Sequence, residues 1–389
     1  MRAAVFVGSE QLAIENITPA EPGPQDVVVE IQASGVCHSD LSLARGYVPL
    51  PPGFVLGHEG TGKVIEVGKE VSRVRKGDRV IASFIPACGN CWYCQHDQSN
   101  HCDLESETAF SPRGTRHDGS PYFAMTGLGT FAEAMTCNQH SLVKVETDVP
   151  AEQLSLIGCG VTTGVGAALN TAEVLPGSTV AVLGCGGVGT AVIQGARIAG
   201  ASRIIAVDGQ PLKREQAKKF GATDVVDPAN GDPVQQVKDL TQGRGVDYAF
   251  EVVGLPETMI TTYNMARKGG TVCIVGMARA DAMVTFPAFQ LFFEEKRILG
   301  SKYGTAHVRR DFQRFVDLIE TGRLDVSHMV SRKIKLDQVN EAFRAMEAGE
   351  VIRSVIMPGL SKIWDGTGLS SGRWRPRSKR FAGENENTL

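Results

Sequence analysis

Four cysteines, Cys88, Cys91, Cys94 and Cys102, fall within one fifteen-residue run, CGNCWYCQHDQSNHC, and no other feature restricts the folded chain as tightly. The spacing C-x2-C-x2-C-x7-C lets a single loop wrap one point at which four sulfurs meet. Zn²⁺ takes four thiolates at the corners of a tetrahedron, with Zn–S about 2.3 Å, and such a closed site is structural. Two disulfides are the alternative. Neighbouring C-x2-C pairs make poor disulfide geometry, and the opening residues MRAAVFVGSEQLAIENI alternate like a strand, with too short an apolar run for a signal peptide. The spacing therefore predicts a structural zinc. Metal-assisted chemistry would need a second site, because four thiolates leave no open position.

A length of 389 residues suits two domains of ordinary size. Hydrophobic content of 42% with 21% charged residues belongs to a globular protein. A net charge of −3 supplies no basic field, so neither nucleic acid nor an anionic membrane is an expected partner. No stretch approaches the ~20 apolar residues of a membrane span. Nine cysteines without an export signal read as reduced thiols and metal ligands, and the cytoplasm is the expected address.

The first half reads as short strands between Pro/Gly turns: Ala3–Val7, Val27–Ala33, Gly62–Val67, Arg79–Ala82, Ala132–Thr136 and Leu142–Lys144. From about Glu152 the rhythm changes to helices alternating with unbroken apolar strands. The predicted strands are Thr179–Leu183, Arg203–Val207, Asp224–Val226, Val246–Val252 and Thr271–Val275. Predicted helices cover Val188–Ala199, Lys213–Phe220 and Val234–Thr241. That pattern implies a parallel sheet covered on both faces. A strand at Ile298–Ser301, a helix at Val308–Glu320 and a helix–strand pair ending at Met357 would return the chain to the first domain. The tail Gly359–Leu389, with six basic and three acidic residues, reads as a disordered basic extension. Cys137, Cys185 and Cys273 read as small core hydrophobes, and Phe286–Phe293 as buried core or subunit interface.

The strand Thr179–Leu183 runs into Gly184-Cys185-Gly186-Gly187-Val188-Gly189 and then a helix, which is G-x-G-x-x-G in its strand–turn–helix context. The first glycine permits the tight turn, the second lets the backbone approach a pyrophosphate, and the third lets helix and strand pack closely. The pyrophosphate then meets free N–H groups at the helix N-terminus. Asp208 ends the next strand about 20 residues on, the distance of a carboxylate that bonds the adenosine ribose. It repels a 2′-phosphate, and Gly209-Gln210 offers no arginine in compensation, so NAD is preferred over NADP. Lys213 is a candidate contact to the ribose edge.

Three further signals are Gly35-Val36-Cys37-His38-Ser39-Asp40, Gly57-His58-Glu59-Gly60 and Gly158-Cys159-Gly160-Val161-Thr162-Thr163-Gly164. With the cysteine run and the glycine turn they give a chain that resembles the zinc-dependent medium-chain alcohol dehydrogenases over essentially residues 1–357. It is closest to the branch with a long segment after the fourth structural cysteine, here Asp103–Gly129. The resemblance implies an α/β fold: a GroES-like β-rich catalytic domain at 1–160 with both zinc sites, and a doubly wound Rossmann sheet binding NAD at 161–297. It also implies a C-terminal return at 298–358.

The family's motifs place the catalytic zinc on Cys37, His58 and Cys159, giving two Zn²⁺ per subunit. Asp40 would fix the His58 tautomer, and Glu59 would lie behind the metal. Thr163 and Val188 would press on the nicotinamide, and His38 and Arg353 would face the pyrophosphate. Ser39 would accept the alcohol proton, leaving a zinc-alkoxide that gives hydride to the nicotinamide. Phe84, Val48, Met277 and the Asp103–Gly129 segment suggest an apolar channel for primary or aromatic alcohols. Two positions depart from the family: Ser42 stands where many relatives end a proton relay with histidine, and His38 where an arginine is common. Oxidation of a hydroxymethyl thiol adduct, and a relative that keeps its nicotinamide bound, are alternatives for the same fold. A non-catalytic NAD-binding member is a third, against which all three zinc ligands speak. A homodimer joined through the nucleotide domains, or a homotetramer, is the family expectation.

Overall fold

The structure is a computed structural model and describes residues 1–359. The basic tail predicted at 359–389 lies, from residue 360 on, outside the described residues. The N-terminal strands build two sheets. One runs Leu142–Lys144, Arg79–Ala82, Glu59–Val67, Asp26–Gly35, Arg353–Ile356 and Val330–Ile334, with Ala134–Asn138 paired to Asp26–Gly35. Arg353–Ile356 enters it antiparallel to Asp26–Gly35, which brings residues 353–356 back beside the segment leading into Cys37. The other sheet joins Gln11–Asn16 and Arg2–Gly8 to Phe54–Val55 and to a hairpin, Pro112–Thr115 with Pro121–Ala124.

The third sheet is parallel throughout, in the order Asp224–Val226, Arg203–Val207, Thr179–Leu183, Val246–Glu251, Ala266–Ile274, Arg297–Gly300. Its central strands are Val/Ile/Ala runs buried on both faces, which is why their limits could be read from hydrophobicity alone. Arg297–Gly300 pairs in parallel with Ala266–Ile274, so the nucleotide sheet extends past residue 297.

A helical run, Ala151–Thr171, bridges the two halves. At 21 residues it is long and apolar enough to cross a bilayer, which corrects the expectation that no stretch approaches that length; 78% of its apolar window, however, is buried inside the protein. The apolarity serves the core. One hydrophobic cluster continues from Ile81 and Ile85 through Leu154 and Val161 to Val182, Ile193, Phe312 and Val355. The run is α-helical at Ala151–Leu156 and Thr162–Gly166 but widens to a π-helix at Ile157–Val161 and again at Ala167–Thr171. Single wide turns of this kind often sit at functional sites. Cys159 stands at the centre of the first.

The Asp103–Gly129 segment contributes little to the cleft. It forms a helix, Leu104–Ala109, and the hairpin of the second sheet, and only Glu105, Met125 and Thr126 reach the cleft wall. The Phe286–Phe293 run divides: Phe286 and Leu291 pack against the core of the parallel sheet, while Phe289, Phe292 and Phe293 are 75%, 78% and 63% exposed.

Candidate active site

Two groups of side chains are arranged as metal donors. In the cysteine loop the four ligand atoms of Cys88, Cys91, Cys94 and Cys102 lie within 4.8 Å of one another. The Cys88–Cys94 sulfurs are 3.8 Å apart and the Cys91–Cys102 sulfurs 3.9 Å. A disulfide would bring two of them to about 2.05 Å. Four thiolates around zinc at about 2.3 Å form a tetrahedron with edges of about 3.8 Å. The observed spacing fits the metal and not the disulfides, and all nine cysteines are free. Backbone N–H groups of Asn90 and Cys91 point at the Cys88 sulfur, both at 3.3 Å, supplying the positive ends of dipoles that a cluster of thiolates needs.

The second group lies at the base of the cleft between the two halves. Ligand atoms of Cys37, His58, Glu59 and Cys159 fall within 4.8 Å of one another, and all four residues are buried. Each is delivered by a different device. Cys37 is the N-cap of the helix His38–Ala44, His58 precedes the strand Glu59–Val67, and Cys159 comes from the π turn. Asp40 at the third helical position ties the first two together. Its Oδ2 accepts from the Cys37 N–H at 2.9 Å, and its Oδ1 faces His58 Nδ1 at 2.9 Å and accepts from the Gly57 N–H at 3.2 Å. With Nδ1 engaged, Nε2 is the nitrogen free to bind a metal. Burial opposes a charge on His58, but Asp40 beside it holds the imidazole's pKa well above the usual range.

Glu59 Oε1 accepts from the Gly160 N–H at 3.1 Å and lies 3.4 Å from the Arg353 guanidinium. Its Oε2 is buried without a partner. Burial raises this carboxyl to about 7 despite the arginine. The Cys37 thiol is held well below its ordinary value, chiefly by a hydrogen bond with Cys159, which is pushed up in return. Two thiols, an imidazole and a carboxylate oxygen within 4.8 Å of one another are a donor set that Zn²⁺ accepts.

The cleft above this group has a volume of about 1360 Å³. Its nucleotide side is the glycine turn. Gly184 has φ +95°, which favours glycine, and a Cβ on Gly189 would stand 1.8 Å from the Gly184 carbonyl oxygen. A Cβ on Gly186 would meet nothing within 4 Å: this is the side open to a ligand. Asp208 accepts from the Cys185 N–H and the Gln210 N–H, both at 2.8 Å, so it braces the turn as well as facing the cleft. His38, Ser39, Thr163, Val188, Lys213 and Arg353 also line the cleft.

On the substrate side, Phe84 lies edge-on to His58 with ring centroids 5.7 Å apart, and Met277 lines the opening. Val48 does not: it is 43% exposed and absent from the lining, where its neighbour Tyr47 stands instead. Ser42 lines the cleft, as do Tyr47, Met125, Thr126, Lys302 and Tyr303, which sequence reasoning did not single out. No local motif marks these last five.

A β-rich domain bearing two metal-donor groups, set against a parallel sheet with a dinucleotide turn, defines a two-domain metal-dependent dehydrogenase. Residues 23–147 match the family model for the alcohol dehydrogenase GroES-like domain, and residues 187–321 that for zinc-binding dehydrogenases. An S-(hydroxymethyl)glutathione dehydrogenase of Synechocystis is 40% identical over 366 residues, covering 91% of this chain and 99% of the relative. The benzyl alcohol dehydrogenase of Acinetobacter calcoaceticus superimposes with a TM-score of 0.85 at 30% identity, covering 92% of this chain and 98% of its own. A Sinorhizobium meliloti 1021 chain solved with NADP bound superimposes with a TM-score of 0.75 at 30% identity, covering 92% and 99%. The chain belongs to the zinc-dependent medium-chain alcohol dehydrogenase family.

Proposed function

We propose that the protein is an NAD-dependent alcohol dehydrogenase that moves hydride reversibly between a primary or aromatic alcohol and the nicotinamide, with two Zn²⁺ per chain. The observation that carries it is the convergence of Cys37, His58 and Cys159 at the base of the cleft that Thr163 and the glycine turn also line. A bound Zn²⁺ would supply Lewis acidity towards an alcohol or carbonyl oxygen. The chain does the rest. Asp40 holds the His58 ring in one tautomer, and Ser39 on the cleft wall takes up the alcohol proton. Thr163 and Val188 hold the nicotinamide against the donor group, while His38 and Arg353 oppose the pyrophosphate charge. Phe84 excludes water from the reacting atoms, which strengthens every charge interaction there. Ser42 lines the cleft where a relay histidine would stand, so the proton leaves either through ribose hydroxyl and water or through another base.

The test is a panel of alcohols with NAD on a sample whose zinc is counted. Benzyl and primary alcohols turned over by protein with two zincs per chain are expected. Turnover of none of them, or a single zinc, sinks the reading. The identity with S-(hydroxymethyl)glutathione dehydrogenases favours a second reading, oxidation of a hydroxymethyl thiol adduct. Rates that appear only when a thiol and formaldehyde are added together would select it.

Coenzyme choice rests on Asp208. The nearest arginine, Arg214, is committed: it donates to the Asp208 carbonyl and pairs with Asp227 at 2.7 Å. Asp208→Ala is expected to raise the NADP-to-NAD ratio of kcat/KM by about tenfold, since removing one repulsive charge near the phosphate is worth roughly 1–2 kcal/mol at a half-exposed site. An unchanged ratio would show that another group selects the coenzyme.

The exposed Phe289, Phe292 and Phe293 adjoin Arg297–Gly300, the outer strand of the parallel sheet. An apolar patch beside an open sheet edge invites pairing. A second copy of this chain is the occupant we propose. Phe289→Asp with Phe292→Asp is expected to halve the mass measured by light scattering; an unaltered mass would place the contact elsewhere.

A further inference from the structure

Tyr303 occupies a position that no motif announced. Its side chain is buried, and its hydroxyl donates to the Gly158 carbonyl oxygen at 2.5 Å, with Ser83 Oγ at 3.3 Å. Gly158 precedes Cys159 in the π turn. A widened turn breaks the regular ladder, and here partners come from side chains. The Thr162 hydroxyl serves the Ile157 carbonyl at 2.5 Å, while Tyr303 reaches the next carbonyl from a segment 145 residues further along the chain.

The backbone that presents Tyr303 is itself unusual. Tyr303, Gly304 and Thr305 have φ of +56°, +62° and +48°, three consecutive left-handed residues of which two are not glycine. Such strain, of order 1–3 kcal/mol per residue, persists only where the surroundings over-determine it. They do so here. A Cβ on Gly304 would stand 2.4 Å from the Thr162 carbonyl oxygen and 2.8 Å from Gly166 Cα, so the turn lies directly on the helix that carries Thr163. The Tyr303 ring meets Phe84 with centroids 4.1 Å apart, and Phe84 in turn abuts His58. One side chain therefore touches the wall beside His58 and the turn bearing Cys159, from a backbone locked onto the nicotinamide side of the cleft.

We propose that Tyr303 is a positioning residue for the Cys159 sulfur: by donating to the Gly158 carbonyl it fixes the wide turn on which that cysteine stands. The inference rests on Cys159 being a metal ligand, as argued above. Hydrogen-bond partners behind a ligand typically carry 10–100-fold in metal affinity or activity. Tyr303→Phe keeps the ring contact with Phe84 and removes only the hydroxyl. The zinc-loaded full-length variant and wild type would be incubated with EDTA, and zinc per chain followed with time, alongside kcat, the KM for NAD and the melting temperature. The expected result is that one of the two zincs leaves about tenfold faster, kcat falls about tenfold, and KM for NAD stays within twofold. The other zinc and the melting temperature should be nearly unchanged. Identical release curves for wild type and variant overturn the role of Tyr303 alone. Faster loss of both zincs with a lower melting temperature also overturns it, showing a general packing contribution. Wild-type protein that holds a single zinc brings down the active-site reading beneath it.

Discussion

His58→Ala is expected to lower kcat/KM for alcohol oxidation by about 10³-fold or more while one zinc per chain is retained. The metal is worth several kcal/mol of charge stabilisation at the reacting oxygen, and each 1.36 kcal/mol is tenfold in rate. Removing the imidazole leaves two thiols and Glu59 around the position, and it takes the one side-chain partner from Asp40, which is fully buried and keeps only the Cys37 and Gly57 N–H groups. A buried carboxylate that loses one of its partners is costly, so the small void is expected to fill with water rather than collapse. The glycine turn lies across the cleft, so NADH binding followed by nicotinamide fluorescence should change by less than threefold. Zinc content and coenzyme affinity together separate a lost active metal from a misfolded chain. Substantial turnover by a variant with one zinc would show that the Cys37, His58 and Cys159 group is not where the chemistry occurs.

The parts of this molecule that could be read from sequence are those whose partners lie close along the chain. The glycine turn, its strand and Asp208 fall within one strand–helix–strand unit, and the strands Thr179–Leu183 and Arg203–Val207 have the limits expected of them. The cysteine loop is local in the same sense: one loop closes on itself. Cys37, His58 and Cys159 are scattered along the chain, and in the sequence only the family resemblance joins them. Errors arose where tertiary context chose between local options. Asp103–Gly129 turned away into the second sheet because its hairpin found Phe54–Val55 to pair with. The apolar run at Phe286–Phe293, readable as core or as subunit interface, was split by the fold: Phe286 and Leu291 pack inward, and three phenylalanines face out beside a sheet edge. Val48 and Tyr47 differ by one position, and it is Tyr47 that reaches the cleft while Val48 is exposed. Nothing within twenty residues of Tyr303 signals its bond to Gly158, and strain at a non-glycine residue leaves no compositional trace.

Cys102→Ser is expected to cost the chain one zinc and lower its melting temperature by roughly 10 °C. Structural zinc in isolated fingers supplies about 10–16 kcal/mol of apparent folding free energy. Here the loop is also anchored by protein contacts, so a smaller share, about 3–5 kcal/mol, is lost, and 1 kcal/mol is worth roughly 2–4 °C in a domain of this size. Serine cannot replace the ligand, because its hydroxyl stays protonated where a thiol would ionise. The damage should not stay in the loop. Ser99 Oγ donates to the Ala306 carbonyl and Asn100 Nδ2 to the Lys302 carbonyl, both at 3.3 Å, and Lys302 pairs with Glu105 at 2.6 Å. These contacts grip the ends of the same left-handed turn that presents Tyr303 to the Cys159 segment. If the four-cysteine loop holds that turn in place, Cys102→Ser should lower kcat as well as stability, by a factor that shrinks as the assay temperature is lowered away from the transition. A variant that melts early yet keeps wild-type kcat well below its midpoint would show that the two metal groups are energetically separate, and that the loop serves stability alone.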